Sequence, residues 1–317
     1  MQITQKQPPN ILQKFVIESM GHLFRTGLKV GRGPLFRLIF PEGAHFDYDF
    51  TITNYGKPYS GNLKFGIDHH IFFYQIFEPY NINILQTIAH YLKSQGQTVN
   101  FLDIGANVGS HSHFMVGHAD SIHSFEPHPE IFKSLEAKCS SSGSKAFHIH
   151  QFGLGDEDSA LKYYEPATHN TGTGSFISGN DINQGASIEL LVKQGDRTLQ
   201  SLALSSVSMM KMDVEGFEGF VLRGLGETIK RDRPIILMEM SQPTRQVMID
   251  HQLTLESLLY SDVALFEVCP IGKYGKFKLL SRTFSTLNPD HHDLLVVPTE
   301  AVRNLLLTFC QSKKLVE

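Results

Sequence analysis

Apolar positions along the chain fall into distinct regimes. Between about Ile11 and Leu28, the residues Leu12, Phe15, Val16, Met20, Leu23, Phe24 and Leu28 recur at steps of three and four, which predicts an amphipathic helix. Phe46, Tyr48, Phe50 and Ile52 then alternate with polar residues, the period of a half-buried strand. After the turn residues Asn54-Tyr-Gly-Lys-Pro, Leu63, Phe65 and Ile67 alternate again, so the stretch reads as a hairpin. Helical spacing returns from Ile84 to Leu92.

Beyond residue 97, short apolar runs alternate with helix-like segments. Strands are predicted over Val99–Asp103, Ile122–Glu126, Phe147–Phe152, Val207–Asp213 and Ile235–Glu239. Helices are predicted over about Gly109–Gly117, Pro129–Cys139 and Glu215–Leu225. Strand, helix, strand in that rhythm implies a parallel sheet with crossover helices. The Gly/Ser/Asn-rich stretch Asn170–Gly185 reads as a loop over the sheet. Further on, Leu253–Leu259 is helical in pattern, and Thr299–Phe309 reads as a closing helix. Val263–Val268 and Asp293–Val297 read as strands that finish the sheet as an antiparallel edge pair. The expectation is therefore an α/β domain over residues 81–317. It follows an α+β appendage over residues 1–80 that serves as a lid, an acceptor wall or an oligomer contact.

Composition narrows the function classes. The 317 residues include 28 Lys+Arg and 32 Asp+Glu, a net charge of −4, so nothing suggests a nucleic-acid surface. The longest apolar runs, such as Ile235–Met238 and Leu294–Val297, are too short to span a bilayer. The leader lacks the charged-then-apolar layout of a signal peptide, and Cys139, Cys269 and Cys310 suggest neither a disulfide framework nor a zinc site. A cytoplasmic location is expected. Histidine is abundant at 16 copies, and most of these are expected to be surface or packing residues.

The segment Phe101-Leu-Asp-Ile-Gly-Ala-Asn-Val-Gly109 carries the clearest chemistry. A strand runs into two glycines and a helix starts beyond them, so the backbone at the turn is open to a ligand at the carboxyl edge of the sheet. Glu126 ends the next strand, where nucleotide-binding folds place a carboxylate on the ribose hydroxyls. The dinucleotide pattern G-x-G-x-x-G is absent, which argues against a nicotinamide oxidoreductase, and no P-loop lysine follows. Asp103 before the first glycine would repel a pyrophosphate but suits a ligand carrying an ammonium. S-adenosylmethionine, with an ammonium, a sulfonium, a ribose diol and no phosphate, matches best. A second cluster, Lys211-Met-Asp-Val-Glu-Gly-Phe-Glu218, ends the fourth predicted strand at the same edge. Three carboxylates in six residues require positive charge nearby, unless some of them, Glu218 above all, cap the following helix.

Together these segments resemble the FkbM family of S-adenosylmethionine-dependent methyltransferases. Phe125-Glu-Pro127, Gly153-Leu-Gly-Asp156, Pro234-Ile-Ile-Leu-Met-Glu239 and Leu294-Leu-Val-Val-Pro298 also match the family, and Phe77-Glu78 looks like its upstream aromatic-Glu pair. The resemblance covers roughly residues 66–298. It implies a Rossmann-like class I fold, with helices on both faces of a mostly parallel seven-stranded sheet that has one antiparallel strand. It also implies methylation of hydroxyls on natural products, sugars or lipid-like small molecules, with peptide or amide nitrogens as the alternative. A catalytically dead scaffold with this fold would not need the intact Asp103, Gly105, Gly109 and Glu126, which leaves a non-catalytic S-adenosylmethionine-binding protein as the less favoured alternative.

By this resemblance Asp103, Gly105 and Gly109 hold the methionine portion of the cofactor, with Asn107 in the same loop. Glu126 takes the ribose hydroxyls and Asp156 approaches the adenine. Asp213 and Glu215 are the expected acid/base and orienting carboxylates. A variant of this reading places Mg²⁺ between Asp213 and Glu239. His291 and His292 are the competing bases.

Overall fold

The computed structural model describes residues 7–28, 30–40, 44–164, 187–272, 275–288 and 293–312. The predicted Asn170–Gly185 loop and His291 and His292 lie outside the described residues.

The leader builds α1 (Ile11–Thr26), α2 (Arg32–Ile39), β1 (Asp49–Asn54), β2 (Lys57–Asn62), α3 (Gly66–Tyr74) and α4 (Pro79–Ser94). Helix α1 starts on a capping box, in which Asn10 accepts from the Gln13 amide and the Gln13 side chain accepts from Asn10 N–H. Strands β1 and β2 do form a hairpin, but its second strand is not the Leu63–Ile67 alternation. Tyr55 and Gly56 both adopt positive φ, 48° and 79°, which makes a two-residue turn and pairs Asn54 with Lys57. The return strand must therefore begin at Lys57. Leu63 and Phe65 are buried beyond its end, and residues 66–74 are helical. Helix α2 has no counterpart in the sequence expectation.

The main layer follows as β3 (Asn100–Ile104), α5 (Ser110–Met115), β4 (Ser121–Phe125), α6 (Pro129–Ser142) and β5 (Phe147–His150). Next come β6 (Gly153–Gly155), β7 (Ser159–Tyr164), β8 (Ser187–Gln194) and α7 (Gly195–Ser201). The chain continues through β9 (Met209–Met212), α8 (Glu218–Gly224), α9 (Gly226–Asp232), β10 (Ile235–Glu239), α10 (Gln242–Asp250) and α11 (Leu255–Leu258). It closes with β11 (Val263–Ile271), β12 (Lys276–Arg282), β13 (Asp293–Pro298) and α12 (Thr299–Gln311).

The central sheet has eight strands in the order β12-β11-β13-β10-β9-β3-β4-β5, not the seven expected. Strands β5, β4, β3, β9 and β10 are mutually parallel. Strand β13 runs antiparallel between β10 and β11, so it is an interior strand and not part of an edge pair. That position explains its continuous burial from Leu294 to Pro298. The eighth strand, β12, hangs antiparallel on β11. It buries Phe277 while exposing Lys276 and Lys278, and charged residues of this kind suit an edge. A separate three-stranded sheet, β6-β8-β7, was not foreseen.

Both faces of the large sheet are covered, and side chains alternate between them with period two. Phe101, Met209, Ile235, Leu237 and Leu295 join one hydrophobic core, which contains Ile88, Leu92 and Phe309. Leu102, Met210, Met212, Ile236 and Leu294 join the other, with Val221, Leu222 and Ile229. The leader has its own aromatic core of Phe24, Tyr59, Phe72 and Phe73. It is tied to α6 by a fully buried ion pair, Lys138 Nζ to Asp68 Oδ1 at 2.7 Å. Asp68 also accepts from Tyr59 O–H, Ser134 O–H and the Asn62 amide, so the buried charge is satisfied. Among the described residues, no helix is long and apolar enough to cross a membrane.

Candidate active site

The carboxyl ends of β3, β4 and β9 open into a cleft with about 870 Å³ of empty space, the solvent at its mouth included. Its first wall is the glycine loop. Gly105 has φ +75°, and a Cβ there would stand 1.9 Å from the Asp213 carbonyl oxygen, so only glycine permits the loop to lie against the β9 turn. The Gly105 and Ala106 amides both donate to Phe125 O, which pins the loop to the end of β4. Glu126 then closes the corner. Its Oε1 accepts from the His128 amide at 2.8 Å and its Oε2 from the Asn107 amide at 3.0 Å. Burial outweighs these two donors and pushes the Glu126 carboxyl up to about 7.

The second wall is the turn after β9. Lys211 is buried and pairs with Asp213 at 2.9 Å. Burial opposes its charge, but Asp213, Asp103 and Glu78 hold the ammonium above the ordinary lysine range. Glu215 is pushed up to about 7 by burial and by the charges of Asp213 and Glu218. Glu218 is fully buried and accepts from the amides of Val214 and Gly216 and from Thr244 O–H. It therefore shapes the turn and does not face the cavity.

The third wall was given no role by the sequence. Glu78 precedes α4, receives a hydrogen bond from Asn81 Nδ2 at 3.1 Å and lies 3.4 Å from His111 Nε2. Burial would raise its carboxyl, but His111, Lys211 and Asn81 bring it down to about 2. Glu78, Lys211 and Asp213 also bound a second chamber of about 640 Å³, which adds Tyr80, Asn81, Glu239 and Asp293. Tyr80 O–H donates to Asp293 Oδ2 at 3.0 Å. Burial and the charge of Glu78 push Asp293 up to about 7, and Glu239 rises higher still, through burial and the neighbouring Asp213 and Glu215. Backbone conformation marks the same place. Of the eight non-glycine residues with positive φ among the described residues, Glu78, Asn107 and Glu215 all line the first cavity.

Gly105, Asn107, Glu126, Asp213 and Glu215 are thus brought together on one cavity. Gly109 starts α5 and leaves room for Leu135, since a Cβ there would meet Leu135 Cδ1 at 2.4 Å. Asp103 lies fully buried beneath the floor, where Oδ2 accepts from Ser112 O–H at 2.5 Å and Oδ1 has no hydrogen-bond partner. Asp156 is not among the lining residues; it accepts from Arg223 Nε at 2.8 Å. Asp213 and Glu239 share the second chamber, but among the described residues no group of three His, Cys, Asp or Glu side chains is placed to hold a metal. Asp213 is instead taken by the Lys211 ammonium, and the Mg²⁺ expectation is not supported. Lys211 supplies the positive charge that the carboxylate cluster required, whereas Glu78, His111, Tyr80, Asn81 and Asp293 are polar lining residues to which the sequence gave no role. Their convergence depends on contacts across up to 213 positions of chain, which local patterning does not reveal.

Solved structures that this chain is similar to are methyltransferases of low sequence identity. The FkbM methyltransferase of Methylobacillus flagellatus KT is 13% identical over 63% of this chain and 43% of its own, with a TM-score of 0.39. This chain therefore matches less than half the length of that protein. A SAM-dependent methyltransferase from Agrobacterium tumefaciens is 8% identical over 79% of this chain and 70% of its own, at 0.40. An rRNA methylase from Streptococcus thermophilus is 8% identical over 70% of this chain and 96% of its own, at 0.38. No curated protein matches the sequence. A sequence model of the methyltransferase FkbM domain, however, matches residues 103–261, half of the chain. That match begins at the Asp103 of the glycine loop and runs through Glu126 and the Lys211–Glu218 turn. The chain belongs to the FkbM methyltransferase family.

Proposed function

We propose that this chain transfers a methyl group from S-adenosylmethionine to a hydroxyl of a small-molecule acceptor of natural-product, sugar or lipid-like type. The observation that carries this reading is the pair of adjoining cavities, which share Glu78, Lys211 and Asp213 as their common wall. The first fits the cofactor. Gly105 and Asn107 line it with the backbone of the glycine loop, and two amides fix the Glu126 carboxyl at its corner, where it would meet the ribose diol. When bound, the cofactor supplies a methyl on a positively charged sulfur.

The remaining work falls to the chain's own residues. Asp213, anchored by Lys211, holds fixed negative charge at the junction of the two cavities. Glu215 is the proposed base. A carboxyl raised to about 7 accepts a proton near neutral pH better than an ordinary glutamate does. Tyr80, Asn81, Asp293 and Glu239 orient a hydroxyl-bearing acceptor in the second chamber. Exclusion of water by the apolar wall of Phe77, Leu154 and Phe217 limits unproductive proton exchange.

Calorimetry is the first test: S-adenosylmethionine should bind and NAD should not, and absence of cofactor binding overturns the reading. Asp213→Asn should lower turnover by about 10²–10⁴-fold with the cofactor still bound. Unchanged turnover would remove Asp213 from the chemistry. Mass spectrometry of products should place the added methyl on oxygen; a methyl on nitrogen would reassign the acceptor class. Turnover should rise as pH passes through about 7, because the proposed base must be ionised to accept a proton.

A further inference from the structure

We propose that residues 11–28 and 30–39 form a docking surface for an anionic lipid bilayer. Twelve large apolar side chains are exposed among the described residues, and seven of them fall in this one segment. Ile11, Val30 and Leu38 are 91, 84 and 79% exposed. On α1, Ile11, Leu12, Phe15 and Leu23 lie within an arc of about 120°, taking about 100° per residue. The opposite side of the helix carries Ile17, Met20 and Phe24, which are packed into the leader's core. Helix α1 thus has two apolar faces, and among the described residues only one of them has a partner. Helix α2 fully buries none of its residues.

Charge selects the occupant. Residues 1–40 contain six Lys and Arg against one Glu, a net +5. The rest of the chain has 22 Lys and Arg against 31 Asp and Glu, a net −9. The exposed apolar residues therefore sit in a strongly basic stretch of an otherwise acidic protein. Apolar side chains that enter the acyl boundary, together with cations that meet anionic headgroups, are the two signals that hold a helix in a membrane interface. A second copy of this chain would bring the same positive charge to the same face, which opposes pairing there.

The test is cosedimentation of the full chain with vesicles of phosphatidylcholine alone and of phosphatidylcholine with roughly one third phosphatidylserine. Binding is expected to the anionic vesicles, weakened about tenfold or more in high salt, with little binding to the neutral ones. The double variant Leu12→Asp/Phe15→Asp alters two exposed positions, so its thermal midpoint should match the parent while vesicle binding falls at least about tenfold. No binding to anionic vesicles overturns the proposal, as does binding that the folded double variant retains. Light scattering that shows a dimer dissociated by the same variant, with vesicles left unbound, assigns the surface to a second copy instead.

Discussion

The two sides of the cavity both use carboxylates, and they stabilise them differently. On the β4 side, Glu126 is held by two backbone amides, so its position is set by the loop itself and needs no other side chain. On the β9 side, Asp213 pairs directly with Lys211, the charge of Lys211 acts on Glu215 and Asp293, and Glu239 lines the same chamber; among the described residues Lys211 is the one lysine lining either cavity. Backbone donors fix geometry; a lone cation fixes charge. The first arrangement suits a site that must recognise a diol in one pose. The second crowds several carboxyls together, so that their mutual repulsion adds to burial in raising Glu215, Glu239 and Asp293, as a site of proton transfer requires.

Removing the cation should produce the largest effect, centred on the β9 side. Lys211→Met strands Asp213 and Asp103 without their counter-charge and should cost about 3–5 kcal/mol, read from chemical denaturation. A loss no larger than that of a surface substitution would show that the carboxyls are already neutral. Gly105→Ala strikes the seam where the two sides touch. Its methyl would overlap the Asp213 carbonyl, so a cost on the order of 3 kcal/mol is expected, with loss of cofactor binding in calorimetry. Glu126→Gln should weaken S-adenosylmethionine about ten- to a hundredfold, because the new NH₂ group faces one of the two backbone amides that position the carboxyl, and one acceptor for the diol is lost. Equal affinity would move recognition of the ribose to another group.

The smallest expected effect is the dependence of stability on pH. Asp293 and Glu215 titrate near 7 in the folded chain, and Glu239 higher, all above their unfolded values. Their favourable contribution is complete below about pH 4 and is lost as pH rises through 7 and beyond. Glu78, held at about 2, acts in the opposite sense: its contribution is present above its unfolded value and disappears only as pH falls through 2. The cofactor-free protein should therefore melt several degrees lower at pH 9 than at pH 5. In Glu239→Gln that slope should flatten. An unchanged slope would assign it to other groups.

The glycine loop, Glu126 and the positions of the parallel strands along the chain were legible in the sequence because each is a local pattern: an apolar run, a turn residue, a carboxylate at a strand end. Strand β6 was not, because three residues carry no period. Strand β12 was not, because its period-two signal rests mainly on Phe277. In the leader, the alternation of Leu63, Phe65 and Ile67 was misread because two positive-φ residues, Tyr55 and Gly56, decide the hairpin register before that alternation begins. Glu78 escaped a role for a similar reason: its left-handed backbone and its contact with His111 exist only once α4 and α5 have packed. Part of the histidine excess gains a structural account in the stack of His123 on His148 and His150, with ring centroids 4.7 and 5.4 Å apart.

The buried pair of Asp68 and Lys138 sets a rule for exchanging parts among relatives. Asp68 belongs to the leader and Lys138 to the second helix after the glycine loop, and both side chains are 0% exposed. A leader grafted from another protein without an acid at that place would leave an ammonium stranded in the interior, whatever acceptor preference it brought with it. Diversification of the leader is therefore bound to α6. A successful chimera must carry both halves of the pair or replace both with apolar residues.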